Sequence, residues 1–122
     1  MGWLYVFLGG GLGSLARYGV ARWLPPAETG NGDFPWATLV ANLLACIVLG
    51  IGVGLTGREL LERPAQLFLL TGFCGGFSTF STYALELLLL GEEGYTGTAV
   101  VYLLASTIGG ILALWIALSL TR

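Results

Sequence analysis

The chain has no histidine and no lysine, and only 10% of its 122 residues are charged. Soluble domains carry roughly 25% charged residues, so an ordinary soluble fold is excluded. Without histidine, and with Cys46 and Cys74 each inside an apolar stretch, no metal-ligand spacing of the zinc type is present. Two free thiols acting as small apolar side chains are expected. There is no intramembrane acid pair and no nucleotide-binding loop, so nothing supports an enzyme. The net charge of −2 points to no particular partner, nucleic acid included.

What is present is apolar: 56% of the residues are hydrophobic, and residues 1–16, 34–57, 64–85 and 94–121 hold no charge at all. The last three stretches can each cross a bilayer core of about 30 Å, which takes roughly 20 helical residues. The first reaches that length if it continues past Arg17 to Trp23, with Arg17 packed inside or snorkelling. It lacks the basic segment of a secretory leader and reads as a mature membrane helix. The pattern predicts one all-α integral membrane domain over residues 1–122, with transmembrane helices near 3–24, 35–56, 65–90 and 96–119.

With the N-terminus on one side, Arg58, Arg63 and Arg122 fall on that side and Arg17 and Arg22 on the other. Lys/Arg asymmetry sets orientation, and a split of three against two sets almost none. Two readings stay open: insertion both ways, giving an antiparallel dimer about an in-plane axis, or one orientation specified by other cues. Four packed helices fill their own core and leave no lumen, so any transport path runs between subunits or along a groove.

Small and polar residues fall in stripes. Thr38, Asn42, Cys46, Gly50 and Gly54 follow strict i+4 spacing on the second helix, close to one face over about 24 Å. Thr98, Tyr102, Ser106 and Gly110 repeat the pattern on the fourth, and Gly9, Gly13 and Arg17 run along the first. Such glycines let helix backbones approach. Asn42 has two donors and two acceptors inside a hydrocarbon span. It either lines a path or bonds helix to helix. Arg17 needs a partner, such as a helix C-terminus or a carboxylate, or else sits at a vestibule where it attracts anions.

The third stretch contains Gly72-Phe73-Cys74-Gly75-Gly76-Phe77-Ser78-Thr79-Phe80-Ser81-Thr82-Tyr83, with three glycines and four hydroxyl residues in mid-span. Gly75-Gly76 costs roughly 2 kcal/mol of helix propensity against alanine. The hydroxyls can bond their own backbone and offset part of an unwinding. The spacing predicts a helix broken at its centre, with freed carbonyls able to surround a cation. Phe80 and Tyr83 share a face beyond the break. Their ring edges are positive and suit a small anion, or the rings simply pack.

This run, GFCGGFSTFSTY over residues 72–83, resembles the signature of the Fluc/CrcB family of fluoride channels. GGGLGSLARY (9–18) and PWATLVANLLACIVLG (35–50) are similar to the family's first- and second-helix patterns. The resemblance covers the whole chain. It implies an antiparallel dual-topology homodimer in the cell inner (plasma) membrane, multi-pass, with two fluoride pores and a structural Na⁺ at the dimer centre. The Na⁺ is implied to be held by the backbone carbonyls of Gly75 and Ser78, with Ser78 in place of the family's usual Thr. The implied fluoride pore takes in Asn42, Phe80, Tyr83, Ser81, Thr82, Tyr102 and Ser106, with Arg17 and Glu86 at a vestibule or pore end. Tyr83 stands where the family has Phe, which keeps a ring edge and adds a hydroxyl. Gly110 stands where some members carry a second serine.

The implied function is passive, selective export of fluoride, with fluoride, Na⁺, membrane lipid and a second copy of the chain as partners. The alternative is a proton-coupled exporter of the small multidrug resistance type. It needs a titrating carboxylate within the membrane, a role only Glu86 could fill. A third reading is a non-transporting assembly subunit whose stripes serve packing alone.

Overall fold

A computed structural model describes residues 1–122. It is all-helical. α1 spans Gly2–Trp23 and α2 Trp36–Gly57, with a single 3-10 turn, Thr29–Asn31, between them. The third span begins with α3 (Arg63–Gln66), continues as a π-helical stretch (Leu67–Cys74), and closes with the short α4 (Gly75–Phe77). After two non-helical residues it resumes as α5 (Phe80–Glu92), and α6 (Thr96–Thr121) completes the chain.

The ends follow from local chemistry. α1 stops where Leu24 turns extended (φ −95°, ψ 150°) ahead of Pro25 and Pro26, because a proline disfavours helix in the residue before it. Pro64 sits in the first turn of α3, where its missing N–H breaks no bond. α2 and α5 both end by reversing through a left-handed residue, Glu59 (φ 58°) and Gly94 (φ 88°). In each case the next N–H reaches back to the last turn: Leu60 to the Leu55 carbonyl at 2.9 Å and Tyr95 to the Leu90 carbonyl at 2.8 Å. Carbonyls otherwise orphaned at a helix end are thereby satisfied.

Three spans, Trp36–Gly57, Arg63–Glu92 and Thr96–Thr121, are long and apolar enough to cross a membrane. α1 has the length, at 22 residues, but six glycines and two arginines lower its hydropathy. Of the four helical spans expected, three therefore meet the requirement on apolarity and the fourth on length.

The helices pair in two layers. α2 packs along α6, and α1 packs along the first half of the third span. Glycines make both contacts close. A Cβ on Gly9 or Gly13 of α1 would run into the backbone carbonyls of Phe68 and Phe73, and one on Gly76 into that of Gly10. A Cβ on Gly50 would lie 2.7 Å from the Leu114 carbonyl oxygen of α6. Beyond residue 79 the third span changes partner: α5 leaves α1 and packs on α6 and on the 3-10 turn. Tyr102 and Leu90, both at 0% exposure, join Leu39 in a small core at that end. Ala41, Ala45 and Phe77 form the second. Only 17 of 122 residues are buried, so most apolar side chains face outward, as a membrane protein's must.

Candidate functional site

The site forms where the third span changes partner. Ser78 (φ −79°, ψ 155°) and Thr79 (φ −148°, ψ 119°) are extended between helical neighbours. Extended residues in a span need partners for their polar backbone. Asn42 of α2 meets both needs of Thr79: its Oδ1 accepts the Thr79 N–H at 2.8 Å, and its Nδ2 donates to the Thr79 carbonyl at 3.3 Å. One amide N–H and one lone pair of Asn42 remain. Thr79 then caps α5, its Oγ1 accepting the Thr82 N–H at 3.3 Å. The Ser78 hydroxyl turns back to the Cys74 carbonyl at 2.8 Å.

A cleft of about 330 Å³ opens beside this interruption, with Asn42, Phe80, Tyr83 and Ser106 in its wall together with Ser78 and Thr79. Ser106 Oγ is buried and has no hydrogen-bond partner, and no other buried side-chain oxygen or nitrogen is in that condition. Such a group costs about 1–3 kcal/mol unless something occupies the cleft beside it.

Aromatic rings continue from the cleft toward one end of the span. Phe80 and Tyr83 lie 6.0 Å apart at 57°. Tyr83 meets Tyr102 edge-on at 5.1 Å and 71°, and Phe34 meets Tyr102 likewise at 5.4 Å and 75°. The Tyr83 hydroxyl donates to the Leu103 carbonyl at 3.4 Å, so its oxygen is drawn toward α6. The Tyr102 hydroxyl donates to Glu86 Oε1 at 2.9 Å. Phe80 is 78% exposed, so most of its ring is bare in the single chain.

Residues 4–118 match the family described as CrcB-like protein, Camphor Resistance (CrcB). A protein of Chlorobium chlorochromatii is 42% identical over 120 residues, covering 98% of this chain and 91% of its own. One from Phocaeicola vulgatus is 37% identical over 94% and 93%, and one from Thermus thermophilus 42% over 90% and 85%. All three are named Fluoride-specific ion channel FluC. This chain belongs to the CrcB family. It is a multi-pass membrane protein of a channel family, not an enzyme.

The residues picked out by the CrcB resemblance separate into groups. Asn42, Phe80, Tyr83, Ser106 and Ser78 share the cleft. Tyr102 and Glu86 adjoin it through Tyr83 and their mutual hydrogen bond. Ser81 and Thr82 lie outside the cleft wall; Ser81 is exposed, its Oγ 3.5 Å from Thr79 Oγ1. Arg17 lies across the interruption, its Nε donating to the Gly76 carbonyl at 3.1 Å, which is the helix-end partner that its charge requires. Gly75 is exposed on the protomer, with nothing within 4 Å of where its Cβ would stand. The wall also contains Thr79, Cys46 and Thr107, which sequence reasoning did not select. Cys46 was visible in the second-helix stripe as a packing residue. Thr107 adjoins Ser106 but breaks the i+4 rule, and Thr79 is one hydroxyl among four.

Proposed function

We propose that this chain is a fluoride-selective channel that lets cytoplasmic fluoride leave the cell passively. We further propose that it works as an antiparallel dual-topology homodimer in the plasma membrane, with all four helices spanning, two pores, and one structural Na⁺. The observation that carries the reading is the partnerless Ser106 hydroxyl on the cleft that also holds Asn42, Phe80 and Tyr83. Its relatives' names supply the ion.

Fluoride is small and strongly hydrated, so it enters only where donors replace its water. Ser106 has a free O–H, Asn42 keeps one amide N–H, and the Phe80 and Tyr83 rings offer positive edges. A narrow path with close donors selects by size and donor placement. A negative-inside potential favours exit by about 2.3 kcal/mol per 100 mV. The bare Phe80 ring supports a pore wall completed by a second copy.

Free backbone oxygens at the interruption support the Na⁺ part of this reading. The Thr79 N–H, which would have closed the next turn on Gly75, donates to Asn42 instead. The loop and cap hydrogen bonds around the interruption leave the Gly75 and Ser78 carbonyls without an N–H. Neutral oxygens of this kind suit a hard cation, so the residues fit. When bound, Na⁺ supplies a fixed positive charge shared by the interrupted spans of two chains. Gly75 and Ser78 would hold it through backbone alone, which makes the Ser-for-Thr change at Ser78 neutral.

The test is fluoride efflux from liposomes carrying the purified protein. Efflux no faster than from empty vesicles, or chloride flux equal to fluoride flux, sinks the reading. Phe80→Ile removes a ring edge and keeps an apolar side chain. It is expected to abolish most fluoride flux with the dimer still assembled on size exclusion, and unchanged flux would make the ring a packing element.

A further inference from the structure

A second cavity, of about 210 Å³, adjoins the interruption between α2 and the first half of the third span. Its wall includes Cys46, Cys74, Leu49, Leu70 and Gly75, and it shares Cys46 and Ser78 with the anion cleft. Both cysteines are free thiols. The Ser78 hydroxyl is already committed to the Cys74 carbonyl, and the Gly75 and Ser78 carbonyls are hard oxygens, so the two sulfurs are the soft donors of this wall. No third His, Cys, Asp or Glu joins them. That excludes a tetrahedral zinc-type site and leaves two-coordinate binding, which soft cations accept from thiolates.

We propose that Cys46 and Cys74 form a two-thiolate site for one soft cation, and that its occupation obstructs the anion cleft. With mercuric ion, each sulfur loses its proton to water and forms one S–Hg bond, with no change of oxidation state. The product carries no net charge, which suits a site inside the membrane, where charge is costly. Na⁺ is hard and does not compete for sulfur. Obstruction follows because Cys46 belongs to both cavities, and this part alone rests on the channel reading.

Binding is measured apart from flux. Purified protein in detergent is titrated with mercuric nitrate, following the ultraviolet thiolate-to-mercury absorbance and the metal retained after desalting. One ion per chain is expected. Cys46→Ala and Cys74→Ala should each weaken binding by about a hundredfold or more, since each loses the second, intramolecular ligand. Two ions per chain, none, or a single-cysteine variant binding as tightly as the parent overturns the site. If one variant fails to fold, the parent stoichiometry still decides.

In liposomes, mercuric ion should stop fluoride efflux from the parent, a dithiol should restore it, and Cys74→Ala, which lies outside the anion cleft, should resist at the same dose. Binding with undiminished efflux overturns the obstruction. If the metal-free parent shows no efflux, the channel reading fails while the binding result stands.

Discussion

Ser106 and Asn42 occupy the same cleft with opposite energetics. The Ser106 hydroxyl is buried without a partner, so removing it removes a desolvation cost instead of a bond. Ser106→Ala is therefore expected to leave the melting temperature in detergent unchanged or higher, while fluoride flux falls. If both fall together, the hydroxyl is structural. Asn42 holds the N–H and the carbonyl of Thr79. Asn42→Ala strands both half-buried groups, at up to about 1–3 kcal/mol each, and should lower melting temperature and flux together. Wild-type stability in that variant would show that water or lipid-facing relaxation satisfies Thr79 unaided. Asn42 and Ser106 were legible because each sits on an i+4 stripe of small and polar residues. Thr79 was not, because its role depends on extended dihedrals that expose its backbone, and nothing in a run of four hydroxyl residues says which one is extended.

At the scale of elements, the glycines divide by what they touch. Gly76 lies against the α1 backbone, and an added Cβ would meet the Gly10 carbonyl and lie 3.1 Å from Ser14 N. Neither atom is the end of a flexible side chain, so α1 must move. Gly75, its neighbour, faces open space and in a helical conformation (φ −63°, ψ −37°) gains up to about 1 kcal/mol of propensity from alanine. Gly76→Ala should therefore lower the melting temperature of the folded chain, while Gly75→Ala should not lower that of the separated protomer. A stable Gly76→Ala protein would mean that α1 can move away from the third span at little cost. The helices themselves were legible, since charge-free stretches of spanning length leave the backbone no other way to satisfy itself in lipid. α5 ends where Gly94 takes the left-handed position without strain, whereas at the end of α2 that position falls on Glu59, two residues past Gly57. The π-helical stretch Leu67–Cys74 has no residue pattern that distinguishes it from α-helix, since a run as uniformly apolar as LFLLTGFC carries neither period.

For the whole molecule, the decisive quantity is the near balance of arginine across the membrane. Arg17 and Arg22 oppose Arg58, Arg63 and Arg122, a split of three against two. Each flanking Lys or Arg biases insertion, so added charge should fix the orientation. Leu60→Lys with Glu62→Lys loads the loop after α2. Gly30→Lys with Glu93→Lys loads the loops on the other side. All four positions are exposed, so the protomer fold should tolerate them. In a dual-topology dimer, either loaded variant expressed alone inserts one way, lacks an antiparallel mate, and should show little fluoride efflux. Expressing the two together supplies both orientations and should restore efflux. Full activity of each variant alone, with single orientation confirmed by protease accessibility, would mean that the conducting unit is parallel or monomeric. The bare Phe80 ring would then need a different cover.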